Sequence, residues 1–241
     1  MSAKPKYKRI LLKISGELLK GSYDFGFDSR VIKDFVKQVQ SVVRLGVELA
    51  LVVGGGNIFR GVGPFAHDMD RTTADNIGML ATLINALMLQ DAFEKKGIEV
   101  RILSAIPSPN VAEPFIRRRA LKHLEEGRVV IFACGTGSPF FTTDTAAALR
   151  ACEIDADVLL KGTKVRGVFS ADPEQDPKAL FYDRISYDDV ISRNLKIMDA
   201  AAFAMCRDNN LPIIVFDFNQ PNNLKNIVLG KPIGTLVKGE R

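Results

Sequence analysis

The stretch YKRILLKISGE, residues 7–17, sets the frame for the whole chain. Tyr7–Ile14 is rich in strand-forming residues, and Ser15-Gly16-Glu17 ends it with a polar, glycine-bearing turn. Lys13 interrupts this apolar run just before the turn. A lysine on a buried strand is costly unless paired, so the sequence predicts a partner for it; the alternative is an edge strand with the ammonium in water.

Outward from this stretch the same pattern recurs. Val47–Val53 (VELALVV) runs into Gly54-Gly55-Gly56-Asn57, and Val129–Ala133 runs into Gly135-Thr136-Gly137-Ser138-Pro139. Between the first two strands, Val31, Ile32, Phe35, Val36, Val39, Val42 and Val43 recur at helical spacing, with Asp28 placed to cap the start and Gly46 the end. Ala74 to Lys96 is a longer helical pattern closed by Gly97. Ile98–Leu103, Asp157–Leu160 and Ile213–Phe216 read as further buried strands, and Val165–Pro177 as a hairpin plus loop. Strands alternating with helices predict an α/β fold on a mainly parallel sheet. With no internal repeat or linker, residues 1–241 form one domain.

The 241 residues are 46% hydrophobic and 25% charged, an ordinary balance for a soluble globular protein. No run approaches the roughly 18 apolar residues of a membrane span. Met1–Arg9 is basic, but Ile10–Ile14 is too short for the apolar core of a signal peptide. Cys134, Cys152 and Cys206 form no CxxC pair, so reduced thiols and a cytoplasmic setting are expected. The net charge of +5 is spread along the chain. Only Arg117–Arg119 forms a basic run, which reads as a solvated helix face, so neither nucleic acid nor membrane is an expected partner.

Strand C-terminal ends of a parallel sheet share one edge, where ligands bind. Three glycine turns there can point several backbone N–H groups at an anion, which favours a phosphorylated ligand. The chain has no GxxxxGK[ST]. Its glycine pairs also miss the dinucleotide fingerprint: Gly54/Gly56 and Gly135/Gly137 meet Phe59 and Phe140, and Gly61–Ala66 follows no strand. Phosphoryl transfer needs cations and carboxylates at such an edge. Arg60 follows the triple glycine at what reads as a short helix start, suited to phosphate or simply to solvent. Asp75, in the first turns of the long helix, is accounted for by dipole complementation. Thr142-Thr143-Asp144 opens a helix Thr145–Arg150 with Thr143 or Asp144 as cap, and Asp199 caps another. Phe140 and Phe141 fit a base pocket or ordinary core equally. The strand Asp157–Lys164 carries two lysines for a phosphate edge, while His67 and His123 have no partner that would give them a role.

KRILLKISGE (8–17), GGGNIFRG (54–61), DADVLLKGTKVRGVFSADP (155–173) and above all GTGSPFFTTDTAA (135–147) resemble bacterial UMP kinases, a branch of the amino-acid kinase superfamily. The likeness runs from Lys8 to about Lys238. It implies a three-layer αβα fold, with an acceptor part over roughly residues 1–150 and an ATP part over roughly 151–241. It implies ATP with Mg²⁺ as donor, UMP as acceptor, and a homohexamer built from dimers. By this resemblance Lys13, Ile14, Ser15, Gly16, Gly56 and Arg60 would meet the ATP phosphates. Thr163, Phe169 and Asp172 would line the adenosine site. Gly55 would touch UMP, Asp75 would hold its ribose, and Thr136, Gly137, Ser138, Pro139, Phe140, Phe141, Thr142 and Thr143 would wrap its uracil and phosphate. Lys13, Asp144 and Asp199 would be the catalytic set. GTP activation and UTP inhibition would involve the loop Gly21, Ser22, Tyr23, Asp24, Phe25, Gly26 together with Arg101 and Arg128.

The sequence departs from the family pattern at Arg166, usually Asp, at Phe169, often Tyr, and at Ser138, commonly Asn. Other readings remain: a kinase for an acyl or carbamate acceptor, a non-catalytic nucleotide-binding protein, and a nucleic-acid regulator.

Overall fold

The computed structural model describes residues 4–60, 68–173 and 175–239. The glycines of 61–66 and His67 therefore lie outside the described residues. The strands are β1 (Arg9–Ile14), β2 (Glu48–Val53), β3 (Val100–Ser104), β4 (Glu113–Pro114), β5 (Val129–Ala133), β6 (Val158–Thr163), β7 (Val168–Phe169), β8 (Phe181–Tyr182), β9 (Arg184–Ser186), β10 (Ile213–Asp217) and β11 (Thr235–Lys238). The helices are α1 (Gly16–Leu19), α2 (Ser29–Val43), α3 (Arg71–Glu94), α4 (Arg117–Glu125), α5 (Thr143–Glu153), α6 (Tyr187–Ser192), α7 (Ala200–Asp208) and α8 (Asn223–Val228).

Nine strands form one sheet in the order β4-β3-β5-β2-β1-β6-β10-β11-β9, and β7 pairs with β8 outside it. Every pairing in the large sheet is parallel except that of β10 with β11. Helices cover both faces, which is why the central strands read as continuous apolar runs. The two-residue period of β1 divides the core. Ile10, Leu12 and Ile14 pack with α2, α3 and α8 on one face, and Leu11 packs with α4, α5, α6 and α7 on the other. These are three layers. No helix among the described residues is long and apolar enough to cross a membrane.

Asp28 caps α2 as expected, its side chain accepting the Arg30 N–H, and Asp199 caps α7. Other boundaries need correction. Residues 56–58 after β2 form a turn, so Arg60 starts no helix. The cap of α5 is Thr142, whose hydroxyl accepts the N–H groups of Asp144 and Thr145, and the helix runs from Thr143 to Glu153. The hairpin placed within Val165–Pro177 has its return strand beyond that segment, at Phe181–Tyr182. Arg117, Arg118 and Arg119 are exposed at the start of α4, whose other face buries Ala120 and Leu124.

Candidate active site

Strand register creates the central feature. Lys13 on β1 is the Cα partner of Lys161 on β6, and the parallel ladder turns both side chains to the α5/α7 face. Two ammoniums side by side repel unless an anion lies between them. Asp144, in the first turn of α5, provides it. Lys13 Nζ is 2.7 Å from Asp144 Oδ1, and Lys161 Nζ is 2.7 Å from Oδ2. Lys161 also donates to the Ile197 carbonyl at 2.5 Å. The three side chains are only 10%, 14% and 15% exposed for Lys13, Asp144 and Lys161. The expected partner of Lys13 is thus Asp144. The edge-strand alternative fails, because β1 lies between β2 and β6.

Burial pushes the Asp144 carboxyl up, but the Lys13 and Lys161 charges outweigh it and hold it below its ordinary value. Lys161 moves down as well, because burial dominates there and Lys13 repels it, against the pull of Asp144. The directions are compatible: one carboxylate has two cations, while each cation has a shared carboxylate and a like-charged neighbour. Asp199 is raised by burial but lowered further by its hydrogen bonds from Thr142, the Ala202 N–H and Thr145, so it too is held ionised. Lys13 has three N–H donors and, among the described residues, one oxygen partner.

The three glycine turns do share this sheet edge, since β5, β2 and β1 are neighbours. The first two pack so closely that a Cβ on Gly16 would lie 2.2 Å from the Gly54 carbonyl oxygen. A Cβ on Gly55 would lie 2.8 Å from the Gly78 carbonyl oxygen, so glycine lets this turn rest on α3. Asn57 and Asn85, both buried, exchange side-chain hydrogen bonds of 3.0 and 2.7 Å. Their remaining amide N–H groups go to the carbonyls of Gly26 and Gly54. The third turn is tied to α3 at two points: Thr82 Oγ1 accepts the Cys134 N–H at 2.8 Å, and Asp75 Oδ2 accepts the Phe140 N–H at 2.8 Å. Asp75 also pairs with Arg71, so it does more than complement a helix dipole.

Two cavities open near this centre, one lined in part by Lys161 and one by Thr142 and Thr143, which precede Asp144. The larger, about 560 Å³, includes Lys161, Thr163, Phe169, Asp172 and Arg193 in its lining. The smaller, about 160 Å³, is lined by Gly55, Gly56, Asp75, Phe141, Thr142 and Thr143, among others. Gly56, expected at the ATP phosphates, borders the small cavity. Arg60 lines neither; it pairs with Glu17 of α1. Thr136, Gly137, Ser138, Pro139 and Phe140 belong to the third turn but do not line the small cavity. Phe140 and Phe141 are 66% and 53% exposed, which rules out core. Sequence reading missed the pairing of Lys161 with Lys13, and missed Thr82, Asn85 and Arg193. Of these, only Lys161 had a local signal, a charge on an apolar strand.

The proposed effector positions do not converge. Gly26 is hydrogen-bonded to Asn57 at the glycine edge, whereas Arg101 and Arg128 lie together at the N-terminal ends of β3 and β5, away from that edge. His123 on α4 contacts both Glu113 and Arg128. Cys134 and Cys206 are buried, and burial pushes the Cys206 thiol up to about 12.

The amino acid kinase family matches residues 8–217. Among solved structures, a UMP kinase from Bacillus anthracis is similar at 43% identity, with TM-score 0.95, over 98% of this chain and 97% of that one. A UMP kinase from Ureaplasma parvum follows at 37% identity and TM-score 0.91, over 97% and 99%. A uridylate kinase from Archaeoglobus fulgidus is similar at 30% identity and TM-score 0.74, over 95% and 99%.

Proposed function

The chain belongs to the amino acid kinase family, and from that premise we propose that it transfers the γ-phosphate of ATP to UMP, giving ADP and UDP. The observation that carries the proposal is the buried pair of lysines on Asp144 at a glycine-lined edge, with one cavity opening on Lys161 and a second on Thr142 and Thr143 beside Asp144. A UMP phosphate oxygen attacks the γ-phosphorus as the bond to the β-phosphate oxygen breaks. The reaction needs no protein nucleophile, only alignment of two nucleotides and stabilisation of the charge between them.

In this reading the large cavity takes the adenosine of ATP, with Thr163, Phe169 and Asp172 at its wall. The small cavity takes UMP, with Gly55, Asp75, Phe141, Thr142 and Thr143 at its wall and the rest of the 136–143 turn beyond it. Lys13 directs its unused N–H donors at the transferred group, and Asp144 and Asp199 keep the surrounding cations oriented. Lys161 joins the set as the second cation. Two ionised carboxylates beside phosphate-binding cations suit Mg²⁺, which takes one or two carboxylates plus phosphate oxygens and rarely an all-protein cage. Among the described residues no three His, Cys, Asp or Glu converge into such a cage. Bound with ATP, Mg²⁺ would neutralise charge on the β- and γ-phosphates.

Cytoplasmic UDP supply for pyrimidine nucleotide synthesis, a homohexamer, GTP activation and UTP inhibition complete the proposal. They rest on the resemblance. ADP release with UMP, CMP, GMP, AMP and small carboxylates as acceptors tests the reaction. UMP is expected to dominate, and ATP left unconsumed with every nucleotide would overturn the reading.

A further inference from the structure

We propose that Arg166 is a positioning residue for the donor nucleotide, acting through Phe181 on Phe169 without touching the nucleotide. The inference rests on the reading of the 560 Å³ cavity as the donor site.

Phe169 on β7 and Phe181 on β8 are register partners in the outlying hairpin. Their rings meet edge to face, with centroids 5.3 Å apart. The Arg166 guanidinium lies over the Phe181 ring, 4.1 Å from its centroid. Phe169 lines the cavity, whereas Phe181 and Arg166 do not. The three side chains therefore form a layered wall of which only the inner ring meets the cavity.

The backbone beneath this wall is fixed. Buried Thr235 on β11 accepts the Val168 N–H at 2.8 Å and donates to the Tyr182 carbonyl. Ser170 and Leu180 close the hairpin with a backbone bond of 2.9 Å. A Cβ on Gly167 would lie 2.5 Å from Thr235 Oγ1 and 2.9 Å from Phe181 Cε2, so the turn has no slack. The adjustable part is the pair of half-buried rings. Among the described residues Arg166 forms no ion pair; its exposed guanidinium contacts the Phe181 ring and borders a separate cavity with Asp183 and Asp217. An aromatic face is electronegative and attracts a cation. A carboxylate at residue 166 would meet that same face with the wrong sign, releasing Phe181 and with it the rotamer of Phe169.

Steady-state kinetics of Arg166→Asp, Arg166→Lys and Phe169→Ala test this, with calorimetric ADP titration of the same variants as a reading independent of turnover. Arg166→Asp is expected to raise the KM for ATP and weaken ADP about fivefold. The UMP KM and kcat should stay unchanged, and Arg166→Lys should recover most of the loss. An unmoved ATP KM, or ATP and UMP KM rising together, overturns the proposal. The Phe169→Ala variant separates the two levels. If it weakens ATP while Arg166→Asp does not, this proposal alone falls; if it too leaves ATP and ADP unaffected, the donor-site reading falls with it.

Discussion

Two buried polar clusters lie at the glycine edge, on opposite faces of the sheet, and they are built on opposite plans. On the α3 face, Asn57 and Asn85 form a closed set in which every amide N–H has a carbonyl acceptor. On the α5 face, Lys13, Asp144 and Lys161 form an open one, in which two cations share a carboxylate and Lys13 keeps donors without a partner among the described residues. Fully satisfied polar networks rigidify what they join. The asparagine pair joins the second glycine turn to α3, whereas the lysine set keeps donor capacity available to an anion. Burial alone therefore does not identify a site; unsatisfied donor capacity does.

Lys13→Met should break the comparison most sharply. It removes one of two competing cations and leaves Lys161 and Asp144 as a one-to-one pair, so folding should change little. Turnover should fall about 10²–10³-fold, the scale seen when one preorganised electrostatic contact to a transition state is lost. Kinetics and thermal melts on one preparation check this; parallel loss of stability and activity would make Lys13 a structural residue.

Asp144→Asn should do the reverse to stability. It leaves two buried ammoniums without their anion, and removing one partner of a buried ion pair typically costs about 3–5 kcal/mol. The sign with pH follows from the lowered carboxyl. Its stabilisation is present above its unfolded value of about 3.9 and is lost as pH falls through the lower folded value. The gap in stability between the wild type and Asp144→Asn should be widest near neutrality and close in strong acid. Denaturant unfolding across pH measures it, and a gap that does not vary with pH would contradict the ion-pair account.

Asn85→Leu probes the closed cluster. It strands Asn57 and the Gly54 carbonyl, and a buried unsatisfied polar group costs about 1–3 kcal/mol. Stability should fall by that order while kcat at saturating substrate drops less than tenfold. Should turnover collapse as in Lys13→Met, the distinction between closed and open clusters would not hold.

This contrast also marks what the sequence could reveal. β1, β2, β5, β6 and β10 were legible because strands covered on both faces are apolar throughout. The two-residue strands β4 and β8 carry too few residues for any pattern. Lys13 announced itself as a charge within an apolar run, and its need for a partner was legible from desolvation. The identity of that partner was not legible in any local pattern, because Asp144 stands on α5, far along the chain, and meets Lys13 only through the fold. Asn57 and Asn85 stayed hidden for the same reason: on its strand turn or its helix, neither breaks a local rule.

Asp75 tests the boundary between the two kinds of site at the smallest scale. Its carboxylate accepts the Phe140 N–H, and Phe140 has φ +71°, a left-handed conformation unfavourable for a bulky side chain. Asp75 therefore has two possible routes to UMP: anchoring the third turn, or meeting the ribose directly across the small cavity it lines. Asp75→Ala should raise the KM for UMP about tenfold, the loss expected for one charge-assisted hydrogen bond, with little change in kcat or in the ATP requirement. An unaltered UMP dependence would remove Asp75 from the acceptor site. The double variant Asp75→Ala, Phe140→Gly then divides the routes. Glycine adopts positive φ without strain, so it restores the turn but cannot replace a contact to the sugar. Recovery of UMP affinity would make Asp75 an anchor. Persistence of the defect, which a direct role demands, would place its carboxylate on the substrate.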